Sequence, residues 1–119
     1  MVKKLTPALV DKYDIAQKML KQLANLESRT VLFSIIKKQE TVSEISKKTE
    51  IPLSTVYVII SKLFDSALIV KKYNLNDDGR RTVWYQSKVK EVCINITKFE
   101  PEISFKKNTL MKHGKTSQT

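Results

Sequence analysis

The 119-residue chain predicts an α+β fold that is mostly helical, with four helices followed by short strands. Three observations carry that expectation. Apolar residues recur at helical spacing through the first half of the chain. After Ala67 the period drops to two, in stretches rich in β-branched and aromatic side chains. Only two glycines and three prolines occur, so long flexible connections are not expected, and Pro7, Pro52 and Pro101 fall where a helix begins or a regular run breaks.

Taken in order, Thr6 and Pro7 predict a helix start, a capping hydroxyl followed by a proline at the first helical position. Leu9, Tyr13, Ala16, Leu20 and Leu23 then alternate in steps of four and three, a seam of the coiled-coil type about two heptads long. Such a seam either lies on its own domain or forms a dimerisation face. Ser28 is a candidate cap for a second helix with Val31, Leu32, Ile35 and Ile36 inward. Thr41 and Glu44 fit a capping box, in which each side chain satisfies a backbone donor beside the other, opening a short third helix that buries Val42 and Ile45. Pro52 pushes Ile51 out of the helical region, and a fourth helix is predicted over 53–67.

Stretches 69–75 and 81–86 flank Asn76-Asp77-Asp78-Gly79-Arg80, a turn cluster whose glycine can take positive φ. They predict a hairpin, with one of Trp84 and Tyr85 in the core. Val92, Ile94 and Ile96 alternate with polar residues as a further strand, and Ile103 with Phe105 suit a return strand after Pro101. From Lys106 onward the chain is polar and basic, the composition of a disordered tail. The expected organisation is therefore an N-terminal helix or dimerisation arm over 1–26, a central domain over 27–90, a strand extension over 91–105 and a tail over 106–119.

Twenty-two basic residues face twelve acidic ones, for a net charge of +10. That balance favours a polyanionic partner. Residues 27–67 carry only +1 of it, whereas 1–26 carry +3, 68–90 carry +4 and 106–119 carry +4, with 91–105 at −2. The charge thus sits outside the central helices. The single Cys93 allows no internal disulfide and no cysteine-based zinc site; a strand cysteine is expected to be packed, with redox sensing as the alternative. One histidine, His113, and no glycine-rich phosphate loop leave no catalytic set, no metal site and no cofactor to expect. No apolar run approaches the ~20 residues of a bilayer span, and residues 1–7 lack a secretory apolar stretch. The expectation is a cytoplasmic protein without membrane contact.

On a helical projection of residues 53–67, Val56, Ile59, Ile60, Leu63 and Ala67 form one face and Ser54, Val58, Ser61 and Asp65 the other. The outer N-terminal half offers Ser54, Thr55, Tyr57 and Val58. Hydroxyls there can meet phosphates or base edges, and an apolar side chain can meet a thymine methyl. The run "IPLSTVYVIISKLFDSALI", preceded by two helices and followed by a basic hairpin, resembles the winged helix-turn-helix of IclR-like and ArsR-like regulators, over about residues 28–87. The likeness implies a small prokaryotic, archaeal-type transcription regulator that binds double-stranded DNA, and a homodimer is expected from the seam and the alternating strand. By position it places Ser54, Thr55, Tyr57 and Val58 in the major groove, Ser43 and Lys47 near the backbone, and Arg80 and Arg81 at the wing tip against a minor groove or phosphate; Lys62 at the edge of the helix and Lys71 and Lys72 on the wing are further candidates for DNA contact. For those four wing residues, a solvated hairpin edge is the alternative. Val58 stands where many relatives carry a basic or amide side chain, so bidentate base reading is not expected there. A protein-docking module within the transcription machinery and RNA binding through the basic tail are the rival functions.

Overall fold

The first two helices meet at Asn25. In a computed structural model, which describes residues 7–110 and their side chains from residue 15 onward, α1 spans Pro7–Ala24 and α2 spans Leu26–Ser34. Pro7 is the first residue of α1; the capping hydroxyl expected at Thr6 lies outside the described residues. The expected cap of α2 is corrected. Asn25 is the N-cap, its Oδ1 accepting from the Ser28 backbone N–H at 2.9 Å. Ser28 sits inside the first turn, buried, donating its hydroxyl to Gln22 Oε1 at 2.9 Å. Asn is as good a cap as Ser, and its earlier position lets the buried Ser28 tie α2 to α1.

The helix α3 spans Val42–Thr49 and α4 spans Leu53–Asp65. Both halves of the Thr41–Glu44 capping box form, with Glu44 Oε1 accepting from the Thr41 N–H at 2.8 Å and Thr41 Oγ1 from the Glu44 N–H at 3.2 Å. Glu50 ends α3 in the left-handed region at φ 62°, a conformation costing a non-glycine residue roughly 1–2 kcal/mol. Its N–H bonds Ser46 O, Ser46 Oγ donates to Ile51 O, and Ile51 is buried. Those contacts hold the turn and set α4 against α3. The expected end of α4 at Ala67 is also corrected. The helix stops at Asp65, and Ala67 is exposed at φ 61°, turning the chain so that Leu68 and Ile69 enter the core.

The wing hairpin pairs β1 (Ile69–Leu75) with β2 (Arg81–Ser87) in register from Ile69↔Ser87 to Leu75↔Arg81. Gly79 takes φ 84° in its turn, as positive φ requires. The sheet gains a bridge that sequence periodicity does not signal: Glu40 pairs antiparallel with Tyr85, through hydrogen bonds of 3.0 and 2.8 Å. The Glu40 carboxylate, 7% exposed, forms a salt bridge with Lys48 on α3, whose Nζ also donates to Ser34 O. A buried carboxylate needs such a partner. The core lies between α2, α3, α4 and the base of the wing, with Val31, Leu32, Ile35, Ile45, Val56 and Leu63 all at 0% exposure.

A second hairpin pairs β3 (Val89–Asn95) with β4 (Glu102–Lys107). Ile96 lies just beyond β3. Structure continues past the expected start of the tail: Lys106 and Lys107 belong to β4, and Asn108 closes the hairpin onto the body. Its Nδ2 donates to Ile36 O at 2.7 Å and Ser87 O at 2.9 Å, and its N–H to Lys88 O. A single amide with two donors does this, which a composition argument overlooks. Cys93 is exposed on β3 rather than packed, because it faces away from Val92 and Ile94.

Candidate nucleic-acid interface

Helix α4 divides as its spacing predicts. Val56, Ile59, Ile60 and Leu63 are buried, and Ser54, Tyr57, Val58, Ser61 and Lys62 are exposed, with Thr55 half-buried at the margin. Pro52 at its N-cap supplies no side-chain hydrogen bond, so the first N–H groups keep their capacity for an anion. The outer face lies between two grooves. One runs between α4 and the wing and is lined by Tyr57, Ser61, Phe64, Lys71 and Tyr85. Lys71 Nζ sits 5.2 Å from the centroid of the Phe64 ring, a cation–π contact that holds a positive charge beside the helix.

The other groove runs between α4 and the α1–α2 corner. Lys18, Lys21, Gln22 and Asn25 face Thr55, Val58 and Lys62 across it, with Glu27 and Asp65 also on its walls. Lys18 and Lys21 were not singled out by sequence reasoning. Their spacing of three along a helix was the available signal, but only the packing angle of α1 brings them beside α4.

The remaining expected residues separate. Ser43 and Lys47 are exposed on α3. Lys72 alternates to the other face of β1 from Lys71 and is half-buried. At the wing tip Arg80 Nε lies 3.6 Å from Asp78 Oδ2, an exposed pair that holds the guanidinium only weakly. The Arg81 guanidinium stacks 4.9 Å from the Tyr73 ring centroid, which preorganises it at the edge of the hairpin. Tyr73 and Leu75 are exposed nearby.

Of the five α1 seam residues, the side chains of three are described. Leu23 is 6% exposed and belongs to the domain's own core, with Met19 packed against it. Ala16 and Leu20 are half-buried and Ile15 is exposed; the side chains of Leu9 and Tyr13 lie outside those described.

Tyr85, rather than Trp84, is the wing aromatic packed on the core. Burial pushes its hydroxyl above the ordinary value of 10.0, and the charge of Tyr57 adds to the effect. A raised folded-state value means that the native protein holds its proton where the unfolded chain has lost it. This contribution to stability is full below the unfolded value and fades as pH rises through the folded one. Thermal melts from pH 8 to 11 are expected to show Tyr85→Phe losing less stability than wild type at the alkaline end. Equal losses would show that Tyr85 ionises freely in the native state.

Among the described residues no helix is long and apolar enough to cross a membrane, and no cluster of three or more His, Cys, Asp or Glu could hold a metal ion. Neither a family model nor a curated protein matches the chain. Among solved structures it is similar to NolR from Sinorhizobium fredii, with a TM-score of 0.55 over 72% of this chain and 81% of that one, at 23% sequence identity. Four helices in this order, a bridged hairpin after the fourth and that likeness place the chain among the winged helix-turn-helix folds.

Proposed function

We propose that the protein is a DNA-binding transcription regulator that lays α4 in the major groove of a duplex and the β1–β2 wing against flanking phosphates. The observation that carries this reading is the adjacency of the exposed α4 residues Tyr57 and Ser61 to Lys71 of the hairpin across a shared groove, with Ser54 and Val58 exposed on the same helix and Arg80 and Arg81 exposed at the hairpin's far end. Lys62 with Lys18 and Lys21 supplies charge on the opposite flank, and Ser43 and Lys47 on α3 are exposed for backbone contact. Phosphate contacts position such a module, and base-edge contacts specify its sequence. The groove-facing half of α4 has no Arg, Asn or Gln, so discrimination is modest and draws on duplex shape. The resemblance of the α4 run to IclR-like and ArsR-like regulators supports the same assignment, as does the net charge of +10. The regulator acts in the cytoplasm as a homodimer, on a pseudo-palindromic site with half-sites about one helical turn apart.

Fluorescence anisotropy with random-sequence duplex across a salt series tests this reading. Log affinity should fall steeply with log salt, and the Arg80→Ala/Arg81→Ala variant should have a slope shallower by about one to two units. Absence of duplex binding by the wild type at low salt would overturn the reading. A second reading is favoured by the exposed apolar groups on the same surface, Leu53, Tyr57, Val58, Tyr73 and Leu75. They suit a protein partner in a transcription assembly, which would bind without a salt-steep duplex interaction.

A further inference from the structure

A two-stranded antiparallel sheet is marginal in water unless one face is covered. Among the described residues the β3–β4 hairpin makes no extensive contact with any helix or with the wing. Its faces are unlike. Val92 pairs with Phe105 and Ile94 with Ile103 on one side, while Glu91 pairs with Lys106, Cys93 with Ser104 and Asn95 with Glu102 on the other. Val92 packs partly against the domain core. Around it the apolar face is partly open to solvent, with Ile94 39% and Phe105 46% exposed and Ile103 half-buried.

The hairpin is also electrically polar along its length. Its base carries Lys88, Lys90, Lys106 and Lys107 against one Glu91; its tip carries Glu100 and Glu102 against one Lys98. Laid face to face in opposite directions, two such hairpins put the acidic tip of each against the basic base of the other. In the parallel arrangement like charges would meet at both ends. That pattern, an apolar face with opposite charges at its two ends, is complementary to itself under a two-fold axis.

The geometry points to a homodimer in which the β3–β4 hairpins of two copies pack face to face and antiparallel, burying Val92, Ile94, Ile103 and Phe105. Identical inner faces at the ~10 Å spacing of packed sheets can interdigitate in this way. Size sets the strength. Two strands about 23 Å long and together about 10 Å wide cover on the order of 230 Å², well short of the ~800 Å² per partner of a standard interface. The association is therefore concentration-dependent, and the charge complementarity of tip and base, rather than area, sets its direction. This interface stands whether or not the protein binds DNA.

Sedimentation equilibrium of the whole chain, without nucleic acid, tests it with three variants. Wild type should dimerise weakly, within a range of roughly 1–200 µM, below the affinities that standard-size interfaces reach. Ile94→Glu should remain monomeric there, with its melting temperature within a few degrees of wild type because the position is exposed. A tip reversal, Glu100→Lys/Glu102→Lys, and a base reversal, Lys90→Glu/Lys107→Glu, should each weaken self-association by about tenfold, since every contact occurs twice. Mixing the two reversed variants should restore association to near the wild-type level. No contact within one chain can give that result, because tip and base lie at opposite ends of the hairpin. A monomeric wild type across the range, a dimer unaffected by Ile94→Glu, or reversed variants that fail to rescue each other would each overturn the proposal.

Discussion

Replacing Val58 with glutamate should lower duplex affinity by about a hundredfold while leaving the melting temperature nearly unchanged. Val58 is 53% exposed at the middle of the outer face of α4, and glutamate is a good helix former, so the fold tolerates the change to within about 0.5 kcal/mol. On the DNA reading, that side chain enters a groove walled by phosphates. Like charges brought together at an interface cost several kcal/mol, and a hundredfold in affinity corresponds to about 2.7 kcal/mol. Anisotropy and a thermal melt on the same preparation decide the point. Unchanged affinity would remove α4 from the groove and leave the wing as the only contact. A collapsed melting temperature would mean that position 58 is structural, against its exposure.

The second large effect is on stability. Leu63→Ala is expected to cost about 3 kcal/mol, within the range for emptying a buried leucine site, and to lower Tm by about 10 °C in a domain of this size. Leu63 is at 0% exposure on the inner face of α4, and its carbonyl accepts the Leu68 N–H where the chain leaves the helix for the wing. The residue therefore ties α4 and the entry to β1 into one packed unit. Urea unfolding with an unchanged m-value would confirm a simple loss of packing. A loss below about 1 kcal/mol would show that the site collapses around the smaller residue.

What could be read in advance follows from what each residue says about its neighbours in sequence. Val56, Ile59, Ile60 and Leu63 announce a buried face because their spacing matches the helical repeat. The Thr41–Glu44 capping box and the glycine turn at residue 79 are local chemistry with both partners a few residues apart. The two helix boundaries that shifted shifted for local reasons too: Asn25 outcompetes Ser28 as a cap, and Ala67 adopts a left-handed conformation that nothing in its side chain signals.

The remaining features depend on residues far apart in the chain. Glu40 looks like an ordinary surface acid, yet it completes the wing sheet and is buried against Lys48. Asn108 looks like the start of a polar tail, yet its amide fastens the second hairpin. Lys18 and Lys21 join the candidate interface only through the angle at which α1 crosses α4. The site predicted on α4 and the wing was legible as a set of exposed side chains. Its second flank was not, because a helical stripe gives a direction and not a neighbour.

The stitching of the wing to the body has a kinetic corollary. Gln86 reaches back fifty positions to Ile36, and Asn108 reaches back seventy-two to the same carbonyl. Closing loops of that length costs chain entropy before any contact rewards it, whereas the helices need only near neighbours. The Ile36 carbonyl just beyond α2 thus acts as a late assembly point, at which the helical body receives first the wing and then the end of the second hairpin. Folding should proceed in that order, with both hairpins seated only after α2 is in place.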